Sequence, residues 1–339
     1  MKSAKFFTIR LGTRSSALAL TQSRLVARQL ERAHRGLKVE LIEITTHGDR
    51  DQTSALKVFG GAGVFTKELE AALLDQRVDF AVHSLKDLPT KQPRGLLVAA
   101  VSAREDVRDV LIMRGAASLK ELASRAGGAL IGSGSPRRRA QLALPHPALR
   151  FAEIRGNVET RLRKVVEGQY DATILARAGL KRLGFSIRGG KLVPSTKGLQ
   201  VAFPLKNLRA EVLSPRLMLP APGQGALGLE CRSNDAKSRK LLAALHSREA
   251  AACVAAERAC LAGLGGGCHL PLGALGMVDK GKLALRAVLA LPDGSAEARA
   301  EVRGPLLQAE ALGKAAAKAI AKSPAGRAIL KQLGETPAK

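Results

Sequence analysis

Residues 129–142 read ALIGSGSPRRRAQL. Two small and two aliphatic residues suit a short buried strand, Gly and Ser make the turn, and Pro136 followed by three arginines opens a helix. A strand that passes through such a turn directly into a helix leaves backbone N–H groups without partners at the turn. Ser135, Arg137 and Arg138 converge on the same point, so the junction is an anion-sized site for phosphate or carboxylate. The pattern continues downstream with a strand at 149–154, a helix from Val158 and a strand at 172–176. Arg155, Arg161 and Arg182 fall at or just after these strand ends. A solvated helix face accounts for any one of these arginines taken singly. Their recurrence at successive junctions points instead to one edge of a parallel sheet, where open α/β sheets bind ligands.

The same rhythm runs upstream. Residues 6–11 read as a strand, Ser15 and Ser16 as helix caps, and Leu18, Leu25, Val26 and Leu30 as one helical face. A strand at 39–46, a helix at 66–74 with Leu69 and Leu73 inward, and strands at 79–84 and 98–101 follow. Strand alternating with helix predicts mainly parallel sheets covered on both faces. Residues 79–89, DFAVHSLKDLP, pass from a buried strand into a polar loop. There Asp87 is a candidate acid or base, although an Asp before Leu-Pro is more commonly a turn former. Lys86 beside it favours the ionised carboxylate.

Beyond residue 186 the rhythm breaks in a polar stretch to 209, and Pro220, Pro222, Gly223 and Gly225 stiffen the connection to a strand at 226–231. The remainder reads as helices at 237–245 and 249–264, antiparallel strands at 282–291 and 296–302 joined at Pro292-Asp293-Gly294, and an Ala-rich helix from Glu310. That is a small α+β domain. In the segment 257–273, ERACLAGLGGGCHLPLG, a helix ends in three glycines that place Cys268 on a tight loop. Cys253 and Cys260 share a helical face and are expected to be buried. Adjacent Cys268 and His269 alone make a poor zinc site.

The 339 residues suggest two or three domains, and 46% hydrophobic with 25% charged residues describes a globular protein. No apolar run nears the ~20 residues of a membrane span, and the first eleven residues lack a signal-peptide pattern. A cytoplasmic protein with reduced thiols is expected. The formal charge of +26 requires a strong positive potential. Nucleic acid is the obvious rival partner, but there is no Trp, one Tyr and no zinc-finger, RNP or helix-turn-helix signature. On charge alone a solvated surface bias is a better account than either an acidic ligand or nucleic acid.

Eight stretches, LGTRSSALALTQS, VFTKELEAALL, DFAVHSLKDLPT, GSGSPRRRAQL, RGNVETRL, LARAGLKRLG, LPAPGQGALGLECR and ERACLAGLGGGCHLPLG, resemble the porphobilinogen deaminase (hydroxymethylbilane synthase) family, in its order and over nearly the whole chain. The resemblance implies two α/β domains like those of type II periplasmic binding proteins and a small α+β C-terminal domain carrying the cofactor cysteine. Applied here, domain 1 is residues 1–103 with 218–243, domain 2 is 104–217 inserted into it, and domain 3 is 244–339. It implies a dipyrromethane cofactor on a thioether to Cys268 and head-to-tail condensation of four porphobilinogen molecules, with loss of ammonia, to hydroxymethylbilane. Asp87 matches the catalytic carboxylate. Lys86, Asp87, Ser135, Arg137 and Arg138 match cofactor-binding positions, and Arg14, Ser16, Arg155, Arg161 and Arg182 match positions that hold substrate carboxylates. No metal, nucleic acid or membrane is implied, and a monomer is expected.

Three departures from the family pattern stand out. Residues 60–63 read GGAG where GGKG is common, so a lysine role there is absent or falls to Lys57. Gly134 replaces a common hydroxyl residue, and the stretch 186–209 is longer than usual. A non-catalytic organic-acid binding protein of the same two-domain class, or a basic nucleic-acid binder, would share the charge. The first would lack a cofactor mass on Cys268, and the second would show steep salt dependence on DNA or RNA.

Overall fold

The computed structural model describes residues 7–44, 66–195, 198–267 and 269–337. Cys268, Lys57 and the 60–63 glycine loop therefore lie outside the described residues. The chain divides into two compact units, Met1–Glu105 with Ala226–Ala251, and Asp106–Gly225 with Ala252–Lys339.

In chain order the first unit begins with β1 (Phe7–Thr13), α1 (Ala17–Ala33), β2 (Leu37–Glu43), α2 (Lys67–Leu74), β3 (Phe80–Ser84) and β4 (Leu96–Val101). The second unit supplies β5 (Asp109–Arg114), α3 (Leu119–Ala123), β6 (Leu130–Gly132), α4 (Pro136–Ala143), β7 (Arg150–Ala152), α5 (Val158–Val166), β8 (Ala172–Ala176), α6 (Arg177–Arg182), β9 (Phe185–Arg188), β10 (Lys191–Pro194) and β11 (Leu208–Val212). The chain returns to the first unit as β12 (Leu227–Arg232) and α7 (Ala236–Leu242). It then runs through α8 (Arg248–Gly263), β13 (Leu272–Asp279), β14 (Lys282–Ala290), β15 (Glu297–Pro305), α9 (Ala309–Lys322) and α10 (Pro324–Leu333).

Among the described residues the first unit holds a sheet of order β2-β1-β3-β12-β4. Phe80, Ala81, Val82 and His83 of its central strand are all buried. Phe80 and Val82 pack on one face with Val26 and Leu30 of α1, and Ala81 packs on the other with Leu69 and Leu73 of α2. Helices therefore cover both faces, as a strand without apolar-polar alternation requires. Ser16 caps α1 by accepting from the Ala19 N–H at 3.3 Å.

The second unit holds sheets of order β7-β6-β8-β5-β11-β10-β9 and β13-β14-β15. The small sheet is covered by α8, α9 and α10 through Ala256, Cys260, Leu312, Ala316, Ile320 and Ile329. Fully burying a side chain such as Ile320 contributes about 1.5 to 3 kcal/mol.

Strand direction corrects the expectation of mainly parallel sheets. β1–β2, β1–β3, β6–β7 and β6–β8 are parallel. β12 runs antiparallel to both β3 and β4, and β5, β9, β10 and β11 form antiparallel pairs. The alternation rule holds where α1, α2, α4 and α5 link consecutive strands and fails at α3, since β5 runs antiparallel to β8 whereas β6 runs parallel to it. It fails for β12, which enters from a distant part of the sequence, and for β9 and β10, which are joined by a hairpin with no helix to reverse the chain. That hairpin, together with β13 and α10, was not distinguished in the sequence.

Candidate functional site

In the first unit β1 and β3 are parallel neighbours, so their carboxyl ends lie on one edge. Arg14 and Ser16 follow the first, and Lys86 and Asp87 the second. Hydrogen bonds tie this edge to α1: the Ser23 hydroxyl donates to Thr13 Oγ1 at 2.8 Å, and Gln22 Nε2 donates to Ser84 Oγ at 3.0 Å. Lys86 and Asp87 occupy a single 3-10 turn, Leu85–Asp87. Leu85 and Leu88 on either side are 1% and 2% exposed. Two buried anchors thus hold the turn while Asp87 is exposed and Lys86 half-buried. Beneath the turn His83 Nε2 pairs with Glu230 Oε2 at 3.0 Å, both buried. Burial pushes the nearby Glu70 carboxyl above its ordinary value, a direction the Glu230 charge reinforces.

In the second unit β6, β7 and β8 share one direction, so the segments after them also lie on one sheet edge. Ser135 caps α4 by accepting from the Arg138 N–H at 3.5 Å. Asn157 caps α5 by accepting from the Thr160 N–H at 2.9 Å. Arg155 pairs with Glu153. Arg161 Nε donates to the Gly156 carbonyl at 2.8 Å, and Arg182 to the Gly225 carbonyl at 2.7 Å. Ser135, Arg137, Arg138, Arg155 and Arg161 thus lie in the segments that directly follow β6 and β7, while Arg182 closes α6, one helix beyond β8.

It also adds a residue the sequence reading missed. Asp109, wholly buried at the head of β5, accepts from Arg137 Nη1 at 2.8 Å and from Arg138 Nη2 at 2.8 Å and Nε at 3.2 Å. Gln224 Nε2 donates to the same carboxylate at 3.1 Å. Main-chain carbonyls take further donors, Leu219 from Arg137 at 2.7 Å and Ile174 from Arg138 at 2.8 Å. The two guanidiniums are 4% and 7% exposed, so the pair is not an open fork awaiting an anion. It is a built ion triad with a net positive charge. Burial alone would raise the Asp109 carboxyl, but the two arginines more than reverse it and hold it well below the usual range. The available signal was a lone acid heading the apolar run Val110–Met113.

Within α8, Glu257 is buried and accepts from the Gly223 and Gly276 N–H groups, each at 2.7 Å. Gly265 has φ +80°, and a Cβ there would lie 2.2 Å from the Thr336 carbonyl oxygen. His269 Nε2 meets Glu335 Oε1 at 2.6 Å. The residues flanking Cys268 are therefore braced by the C-terminal tail. Cys231, Cys253 and Cys260 are buried. Burial pushes the Cys231 thiol up to about 11 and the Cys260 thiol up to about 12, so both stay protonated near neutrality.

No helix among the described residues is long and apolar enough to cross a membrane. None of their His, Cys, Asp and Glu side chains gathers into a group of three able to hold a metal ion. Two family models match the sequence: "porphobilinogen deaminase, dipyromethane cofactor binding domain" over residues 9–240 and "porphobilinogen deaminase, C-terminal domain" over 251–322. A porphobilinogen deaminase of Sorangium cellulosum is 47% identical over 307 residues, covering 89% of this chain and 95% of that protein. One of Gloeobacter violaceus is 44% identical over 328 residues, covering 96% and 94%. The periplasmic VFT2 domain of Bordetella pertussis BvgS superposes with a TM-score of 0.39 at 14% identity over 70% of this chain and 86% of that one, a likeness too slight to carry an inference.

Proposed function

The chain belongs to the porphobilinogen deaminase family, and from that premise we propose which of its residues condense four porphobilinogen molecules, with release of ammonia, on a covalent dipyrromethane primer to give hydroxymethylbilane. Cys268 carries the primer through a thioether. Cys231 and Cys260, whose thiols are raised to about 11 and about 12, are poor alternatives, and Cys253 is buried. The primer's two pyrroles bear four carboxylates and two N–H groups: Lys86, Ser135 and the net positive charge of the Arg137–Arg138–Asp109 triad suit the former, and the Asp87 carboxylate suits the latter. Ser135, Arg137 and Arg138 stand at one strand end, and Lys86 with Asp87 at another. When bound, the primer supplies the free pyrrole α-carbon to which the first new bond is made.

Asp87 is the catalytic carboxylate. Its exposure on a turn anchored by buried Leu85 and Leu88 is the observation that carries this assignment. Its negative charge stabilises the cationic pyrrole that forms as the substrate's C–N bond breaks, and protonated it can assist the departing amine. Each condensation forms one C–C bond, releases ammonia and returns the α-proton of the attacking pyrrole. After the fourth, hydrolysis of the bond to the primer gives the product its hydroxyl group and restores the primer's α-hydrogen. Arg14, Ser16, Arg155, Arg161 and Arg182 hold the acetate and propionate groups of incoming substrate. Every pyrrole adds two carboxylates, so a cationic sheet edge is a physical requirement.

Domain boundaries at 1–103 with 218–243, 104–217 and 244–339 accord with one sheet per domain, and a monomeric, cytoplasmic working state completes the proposal. Intact mass and peptide mapping of the purified active chain test it, with light scattering for the monomer. A dipyrromethane adduct on Cys268 is expected. An adduct on Cys231, Cys253 or Cys260, or an active chain with none, would overturn the assignment.

A further inference from the structure

The stretch left without a role in the reaction carries an unusual concentration of charge. Residues 186–209 contain five Lys or Arg and no Asp or Glu. Within it β9 and β10 form a hairpin closed by Gly189 and Gly190, whose φ of +53° and +68° suit the two-residue turn that matches strand twist. The register places Lys191 directly opposite Arg188 on one side and Arg209 on the other. Directly opposed residues point to the same face of a sheet with Cβ atoms about 5 Å apart, and like charges there are destabilising. The ion pairs formed among the described residues include none of these three cations. An uncompensated ladder of this kind is relieved by an anionic partner.

Beside it lies a groove of about 340 Å³ floored by Leu192, Val193, Val201, Phe203 and Leu205 and rimmed by Lys191 and Lys206. Lys191 thus belongs to both the ladder and the groove. We propose that this face docks an acidic segment of another protein, whose apolar side chain enters the groove while its Asp or Glu residues meet Lys191, Lys206, Arg188 and Arg209. The alternatives fit less well. A small molecule is normally enclosed by its site, whereas Lys191, Pro194, Gln200 and Lys206 in this lining are exposed. A nucleic acid would leave the apolar floor unfilled and find one aromatic ring, Phe203, on which to stack. A membrane surface takes protruding apolar side chains, not a concave receptor for them. A peptide that alternates acids with apolar residues satisfies groove and ladder together.

Fluorescence anisotropy on the full chain tests this with a fluorescein-labelled peptide alternating Glu with Leu and Phe. Three further probes are the same peptide with Gln for Glu, the same with Ser for Leu and Phe, and a labelled oligo-dT; vesicles containing phosphatidylglycerol are tested by co-sedimentation. The parent is expected to bind the acidic-apolar peptide about tenfold or more tighter than either altered peptide. The double variant Lys191→Glu/Lys206→Glu, and separately Phe203→Glu, should lose that preference while consuming porphobilinogen at the parental rate. Equal binding of all three peptides, or undiminished peptide binding by both variants, overturns the proposal. So does binding of oligo-dT or vesicles that depends on Lys191 and Lys206 without peptide binding. The proposal is independent of the catalytic assignments, because neither lysine nor Phe203 belongs to the reaction site.

Discussion

Asp87 and Asp109 are carboxylates of opposite kind. The first is exposed on a turn and the second is wholly buried between two guanidiniums. Asp87→Asn retains hydrogen-bonding capacity but loses the negative charge and the transferable proton. Turnover should fall by roughly two or more orders of magnitude with unchanged circular dichroism; turnover within a few-fold of the parent would make Asp87 a turn residue only. Asp109→Asn leaves Arg137 and Arg138 buried without their counter-charge, at a cost of about 3 to 5 kcal/mol in urea unfolding. The sign with pH follows from the depressed folded-state value. The Asp109 contribution is complete above the unfolded carboxyl value of about 3.9 and is lost only as pH falls through the lower folded value. The gap between parent and variant should therefore be constant near neutrality and narrow below about pH 4. A gap that narrowed near pH 6 would implicate another group. The sequence marks Asp87, because it sits in a recognisable strand-to-loop motif. It does not mark Asp109, whose partners lie 28 and 29 residues away.

At the scale of elements, the glycine loop depends on its neighbours. Gly265 combines φ +80° with the Thr336 carbonyl oxygen in the space a Cβ would need. Gly265→Ala should therefore destabilise by about 1 to 3 kcal/mol through backbone strain and displacement of the tail. Intact mass should show a larger apo fraction, because the segment presenting Cys268 is disturbed; full primer loading with an unchanged Tm would show that the tail does not brace the loop. At Gly134 the geometry is permissive, since a Cβ would meet no atom nearer than the Ile154 oxygen at 3.6 Å. The departure from a hydroxyl residue there is thus not enforced by crowding. Helix and strand positions were legible because apolar period and capping residues are local properties. Ser16, Ser135 and Asn157 cap helices as their types suggest.

For the molecule as a whole, the arginines divide by environment. Arg137 and Arg138 are structural as well as cationic, so replacing either with Leu should lower Tm and leave mostly apo-protein. Arg14 and Arg155 are half-buried near the surface, and their replacement should leave Tm and the primer intact while elongation stalls. Losing one charged hydrogen-bonding partner costs about 1.5 to 3 kcal/mol, roughly 10- to 150-fold in the affected step. Native mass of enzyme-bound intermediates separates the two groups, and identical distributions in all four variants would refute the division. The amino-acid order alone determined the strand-helix alternation, the basic residues at successive strand ends and the family motifs, because each is written in neighbouring residues a few positions apart. Only the tertiary structure decided strand direction in β12 and β9–β11, the pairing of Arg137 and Arg138 with Asp109, and the hold of Glu257 on Gly223 and Gly276. Each of these depends on which distant segments meet, and burial then forces every charge and N–H brought inside to find its partner there.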